Sequence, residues 1–243
     1  MFSYFFVALL KEGGALVLCR ATTPTEQLLF SKNTWRFETD VVGVEATSDA
    51  PYALGTEYTC DLGDGERTFY VLEDGDNTTL TTGTTGTAGA GEVALILEKN
   101  YDTTGQYWCD PNGENPTNNV CNADGLTGKL DEIARVWSKL DRDQIGLPSA
   151  MQIVAADGKS ELVNYMNITN DYLYSWSDYP KNQLYGYWTS TPNTENSSYA
   201  WTAAYQPYYD IGELCNNYMD FEVYYNVLGL RPIITISKNN ISF

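Results

Sequence analysis

Leu126, Leu130, Ile133, Val136, Trp137 and Leu140 recur at helical spacing, with Lys, Asp, Glu and Arg between them. That period gathers the apolar side chains into one stripe, so residues 126–140 are expected to be a helix laid on a core. A second helix is expected after Pro148, capped by Ser149 and running through Met151 and Ile153. A third is expected over residues 161–166, and a helix start at residues 22–30, where Thr23 can cap, Pro24 suits the first turn and Glu26 can close a capping box.

The rest of the chain has the period of strands. Residues 57–60 and 67–72 flank Asp61-Leu-Gly-Asp-Gly65 and are expected to form a β-hairpin. Residues 93–97 are a short apolar run. Residues 185–191, 199–203, 221–225 and 228–236 are aromatic or β-branched runs. Strands, then helices, then strands imply an α+β fold with two or three helices. Residues 38–56 have the composition of an irregular linker, and residues 73–91 that of a polar Thr/Gly-rich loop. The organisation expected is an N-terminal segment, 1–55, serving as anchor or docking region, and a ligand-binding domain, 56–243.

Composition narrows the function. Lys plus Arg is 14 against 32 for Asp plus Glu, a formal charge of −18. Such a surface repels phosphate backbones and anionic lipid, so nucleic acid is not expected as a partner, nor is direct membrane binding by charge. There is no histidine. That removes the commonest general base, the Ser-His-Asp and Cys-His mechanisms and every His-ligated metal site. No enzyme activity and no cofactor are expected. Asp61-Leu-Gly-Asp64 and Asp74-Gly-Asp-Asn77 carry oxygen ligands suited to calcium, but neither completes an EF-hand loop, and Asp-Gly turn chemistry explains both. The Gly-rich stretch 83–91 has no Lys-Ser/Thr and is not a phosphate loop.

The five cysteines are Cys19, Cys60, Cys109, Cys121 and Cys215, with no CxxC. Cys109 and Cys121 flank an eleven-residue polar stretch, rich in turn formers, that cannot hold itself shut by packing. A disulfide between them would add about 3 kcal/mol by closing that loop in the unfolded chain. Cys60 with Cys215 is the second pairing considered, leaving Cys19 over. The opening Met1-Phe-Ser-Tyr-Phe-Phe-Val-Ala-Leu-Leu10 is apolar, too short to span a bilayer and without a basic n-region. Three readings of it stand: a mis-started export signal, a short core segment, or a truncated pilin-like anchor. The staple favours an extracellular or cell-surface location.

Tyrosine is concentrated: 13 of the 19 lie between Tyr165 and Tyr225. Around them run Gly146-Leu-Pro-Ser-Ala150, Tyr187-Trp-Thr-Ser-Thr191, Ala200-Trp201 and Gly229-Leu-Arg-Pro-Ile-Ile234. This series resembles the C-type-lectin-like domains of bacteria, the branch that includes formylglycine-generating enzymes and the variable proteins of diversity-generating retroelements. The likeness spans residues 57–238 and is strongest from Leu147 onward. It implies a C-type-lectin-like fold of short twisted antiparallel strands with two or three helices. Trp188 and Trp201 are expected to pack the core, and Arg231 to pair with a buried carboxylate or with backbone carbonyls.

In the variable proteins the segment between the last two scaffold strands is the diversified binding face. The corresponding residues here are Tyr205, Tyr208, Tyr209, Asp210, Asn216, Asn217, Tyr218, Asp220, Tyr225 and Asn226. Tyrosine supplies rigid amphipathic contact area, and Asn and Asp supply adaptable hydrogen bonds, as in antibody paratopes. A protein or glycan ligand on another cell or particle is the expected partner. The calcium-dependent sugar motifs of animal lectins are missing, and only Cys215 lies where a formylglycine-generating enzyme would need paired cysteines. An acidic-residue hydrolase on the same scaffold and a pilin- or adhesin-like structural subunit are the alternatives.

Overall fold

The computed structural model describes residues 18–22, 50–77, 88–102, 104–106, 108, 124–163, 165–174, 186–193, 200–206, 211–215 and 228–242. Their strands are β1 (Leu18–Ala21), β2 (Glu57–Asp61), β3 (Glu66–Asp74), β4 (Glu92–Leu97), β5 (Ile145–Gly146), β6 (Tyr165–Ile168), β7 (Gly186–Pro192), β8 (Ala200–Gln206), β9 (Ile211–Cys215), β10 (Ile233–Ser237) and β11 (Ile241–Ser242). The helices are α1 (Asp124–Val136) and α2 (Ala150–Ala156). A seven-stranded sheet has the order β11-β1-β2-β3-β4-β10-β5, and a four-stranded sheet the order β6-β9-β8-β7. The chain is thus α+β, built mostly of sheet.

Burial of both faces explains the large sheet. β4 is apolar from Val93 to Leu97, each at most 5% exposed. Val93, Leu95 and Leu97 point into one core with Leu126, Leu130 and Ile133 of α1 and with Trp137, the residue that follows it. Ile96 points the other way, into a second core with Ile153 and Val154 of α2 and with Tyr187, Trp201, Ala203 and Leu214 of the small sheet. A strand with helices or sheet on both sides must be apolar at every position, whereas β2 alternates, with Tyr58 and Cys60 buried.

The expected hairpin is present. β2 and β3 pair antiparallel with Glu57 opposite Tyr70 and Asp61 opposite Glu66, and Gly63 and Gly65 turn between them at φ +107° and +119°. The expected second helix is also present. The Ser149 hydroxyl accepts from Gln152 N at 3.1 Å, and Gln152 Oε1 accepts from Ser149 N at 2.8 Å, a reciprocal capping box.

Three expectations are corrected. Residues 161–166 are not a helix: α2 stops at Asp157, Gly158 turns at φ +74°, and residues 165–168 form β6. The cause is Asp157, whose Oδ1 accepts from Thr169 N, Thr169 Oγ1 and Asn170 N, drawing the chain back beside α2 and laying β6 along β9. The run 228–236 is not one strand. Leu228 and Gly229 make isolated bridges, Pro232 offers no N–H, and β10 begins at Ile233.

The third correction concerns the cysteines. Cys60 is bonded to Cys19, not to Cys215, and Cys215 is buried. Cys19 and Cys60 are direct register partners on β1 and β2, with Cα atoms 4.1 Å apart, a proximity that strand pairing creates and sequence spacing does not reveal. β1 precedes residue 55 and is nonetheless a strand of the large sheet. Residues 23–30 of the helix start expected at 22–30, the Cys109–Cys121 staple and the strand at 221–225 lie outside the described residues.

Candidate functional site

The four-stranded sheet lies within the tyrosine-rich stretch 165–225. In it, β7 pairs with β8, β8 with β9 and β9 with β6, all antiparallel. Tyr187, Ala203 and Leu214 sit in register on the face turned to α2. Thr202, Ala204, Glu213 and Cys215 occupy the opposite face and are each at most 2% exposed. The Thr202 hydroxyl lies 3.5 Å from Cys215 Sγ.

Trp188, Trp201 and Arg231 are buried. Trp188 is fully buried and donates through Nε1 to the Gln106 carbonyl at 2.7 Å. Trp201 is 6% exposed, and its carbonyl accepts from the Thr189 hydroxyl at 2.8 Å. Trp108 Nε1 donates to the Thr189 carbonyl at 2.8 Å. Arg231 has no solvent exposure and donates to backbone carbonyls: Nε to Leu97 O at 2.5 Å, and Nη2 to Glu98 O at 2.9 Å and Tyr172 O at 2.6 Å. Its guanidinium carbon lies 5.3 Å from the centroid of the Tyr187 ring. Arg231 is therefore a structural cation whose Nε and Nη2 donate to carbonyl oxygens rather than to a carboxylate, while its buried Nη1 makes no such bond.

Part of the tyrosine excess is core. Tyr172, Tyr174 and Tyr187 are buried, with hydroxyls donating to Ala156 O at 3.3 Å, Asp171 Oδ1 at 2.8 Å and Leu173 O at 2.5 Å. Burial raises the Tyr187 hydroxyl to about 12, with Arg231 pulling the other way, and burial likewise raises Tyr172.

Of the ten expected ligand-binding residues, Tyr205 lies in β8 next to its end. Tyr208, Tyr209, Asp210, Asn216, Asn217, Tyr218, Asp220, Tyr225 and Asn226 lie outside the described residues. Their anchors are described. Residues 207–210 join Gln206 to Ile211, which are register partners. Residues 216–227 run from Cys215, opposite Thr202, to Leu228 and Gly229. Gly229 N donates to Gly186 O at 2.8 Å, and Gly229 O accepts from Trp188 N at 3.2 Å. Both candidate segments are thus held at both ends by the same sheet.

Sequence reasoning missed β9. It took residues 205–226 as one surface segment, whereas Ile211–Cys215 is an inner strand flanked by β6 and β8. Leu214 and Cys215 were the available signal, but Glu213 in their midst masked it, being wholly buried all the same.

The acidic loops are occupied by the chain's own cations. Lys238 Nζ lies 2.5 Å from Asp74 Oδ1 and 2.6 Å from Asp76 Oδ2, and Lys139 Nζ lies 2.5 Å from Asp61 Oδ2. Asp64 pairs with Arg67. The buried Glu73 accepts at Oε2 from Gln152 Nε2 at 2.8 Å and from Ala88 N at 3.2 Å. Among the described residues no group of three or more Cys, Asp or Glu side chains could hold a metal ion. Nor is any helix among them long and apolar enough to cross a membrane.

No family model, no curated protein and no solved structure matches the chain.

Proposed function

We propose that this protein binds a ligand rather than transforming one, and that it does so on a C-type-lectin-like scaffold through the tyrosine-rich segments 205–210 and 216–226. One observation carries the proposal. A four-stranded sheet, itself packed by Trp201, Tyr187 and Leu214 on the α2 core, anchors both ends of both segments. Binding residues concentrate in segments joined to a rigid scaffold, because the scaffold fixes where such a segment begins and ends. The composition of the segments is that of a paratope. The likeness to retroelement variable proteins extends the proposal to diversification of residues 200–235, and the Cys19–Cys60 disulfide supports an extracellular or surface location.

The binding test is Tyr208, Tyr209 and Tyr218 replaced together by alanine. Partner capture should be abolished with the melting temperature nearly unchanged; intact capture with a lowered melting temperature refutes the assignment. Diversification is tested in the flanking DNA. A near-identical copy of the stretch encoding residues 200–235, differing at adenines and lying beside a reverse transcriptase, is the expected finding. If there is no such copy, the receptor is a fixed one.

A further inference from the structure

We infer that this protein has a mechanical function: its seven-stranded sheet carries tension that enters from the N-terminal side of β1, and the Cys19–Cys60 bond is the coupling that takes the load. The inference goes beyond ligand binding and does not depend on what the tyrosine-rich segments hold.

The first and last strands of a domain are where pairing ordinarily frays unless something ties them down. Here β1 and β11 are neighbours and parallel, with Cys19 opposite Ile241 and Arg20 opposite Ser242. The Ser242 hydroxyl adds a bond to the Cys19 carbonyl at 3.4 Å. Tension that enters at Leu18 and leaves beyond Ser242 pulls these two strands past one another. The bonds of a parallel pair are evenly spaced along it, so shear loads all of them together. A hairpin pulled at its two ends opens one bond at a time.

The disulfide sits where such a load arrives. β1 is four residues long, and on its other side it pairs antiparallel with β2, Leu18 opposite Asp61 and Cys19 opposite Cys60. The covalent bond is therefore one residue in from the loaded end, and opening of β1 from that end stops at Cys19. The load passes through the sulfurs into β2, which lies between β1 and β3 and is paired with β3 from Glu57 to Asp61. Cys60 and Tyr58 of β2 are buried in the core that α1 covers. The chain between the two cysteines, which are 41 positions apart, is bypassed. A bond that served only to restrict the unfolded chain would depend on the length of that loop and not on its place within the strand.

The C-terminal side carries a second stop. Lys238 directly follows β10, at the end where Ser237 faces Glu92 of β4. Its Nζ lies 2.5 Å from Asp74 Oδ1, 2.6 Å from Asp76 Oδ2 and 4.5 Å from the centroid of the Tyr52 ring. The side chains of Lys238 and Asp74 are 15% and 11% exposed, so salt screens this pair less than it screens a surface pair. Once β11 has left β1, β10 can be peeled from β4 only after the Lys238 pair breaks. Asp74 ends β3, so the strand that backs Cys60 is also the strand that holds Lys238.

The test is single-molecule force spectroscopy on the full chain with handles at its two ends. It is compared with handles on azide-bearing side chains introduced at Val136 and Val163, both exposed. Val136 ends α1 on the first core, and Val163 follows Leu162, which packs on the second, so that pull runs across the layers and not along β1. Forced unfolding follows the barrier to unfolding, and the end-to-end direction should need at least about twice the force of the cross-layer one. Cys19→Ser with Cys60→Ser should bring the end-to-end force down towards the cross-layer value. The same variant should release about 14 nm more chain, at about 3.5 Å for each of the 41 positions no longer bypassed. End-to-end rupture at or below the cross-layer force overturns the inference. So does a double serine variant that gains the length and keeps the force, because the bond then shortens the chain without bearing load. The comparison of the two directions leaves both cysteines and Lys238 in place, so it decides the matter even where the serine variant does not fold.

Discussion

Arg231 Nη2 donates to the carbonyl oxygen of Tyr172 at 2.6 Å, across 59 residues of sequence. The same side chain reaches Leu97 and Glu98 at the end of β4, so one guanidinium ties the lead-in of β10 to β4 and to the turn that follows β6. The platform is positioned against the large sheet partly through this cation.

Arg231→Ala would leave three carbonyl oxygens without their donor in a buried setting. Each such loss costs about 1–3 kcal/mol, so a total destabilisation of about 4 kcal/mol is expected in chemical denaturation. Arg231→Lys keeps the charge but lacks the planar fork, and should recover less than half of the loss. A wild-type denaturation midpoint in either variant would contradict the role assigned to the side chain.

The Cys19–Cys60 bond closes a loop of 41 residues. Its reduction, or Cys19→Ser with Cys60→Ser, should cost about 4 kcal/mol by the loop-entropy relation. Thiol titration of the unreduced, denatured chain gives a second readout. One reactive thiol, Cys215, is expected if Cys109 and Cys121 are bonded, and three if they are not. In the native state Cys215 should react slowly, since it is 1% exposed.

Gly186→Ala should separate β7 from β8. A Cβ at Gly186 would lie 2.1 Å from Ala203 O and 2.5 Å from Ala204 Cα, both backbone atoms that cannot swing aside. A loss of about 3 kcal/mol is expected, the upper range for overpacking. Because β8 and the Gly229 anchor both contact Gly186, ligand binding should fall with stability in this variant. Binding that survives unchanged would mean that the sheet does not position the segments.

Alkaline pH should unfold the protein earlier than its exposed groups would require. Burial raises Tyr187 to about 12 from 10.0, and raises Tyr58 and Tyr172 as well. The folded state then keeps these phenols protonated while the unfolded state ionises them. The stabilisation they reflect is complete below pH 10 and is lost as pH rises from 10 towards 12. For the wholly buried Tyr187 that is about 3 kcal/mol. Tyrosinate absorbance should rise in two phases, the second coinciding with loss of tertiary signal. A single early phase with the fold intact would show these hydroxyls to be accessible.

How much was legible follows from which forces are local. The apolar period of residues 126–140, the Ser149–Gln152 box and the Gly-rich turn between β2 and β3 act within a few residues, and each was readable. β6 was mistaken for a helix because the residue that governs it, Asp157, acts through tertiary hydrogen bonds to Thr169 and Asn170. β9 was missed because a buried glutamate reads as surface. Of the expected binding residues, only the placement of Tyr205 in β8 and the anchors on either side of the rest come from the structure.

The amino-acid sequence by itself determined the α+β class, the absence of histidine chemistry, the acidic field and the clustering of tyrosine. These depend on composition and on spacings of four residues or fewer. Only the tertiary structure decided that Cys19 meets Cys60, that Arg231 is spent on carbonyls and that both tyrosine-rich segments are pinned to one sheet. Those outcomes depend on which strands become neighbours. Strand neighbours are chosen by the burial of both faces of the large sheet, a property of the whole chain that no short stretch of it carries.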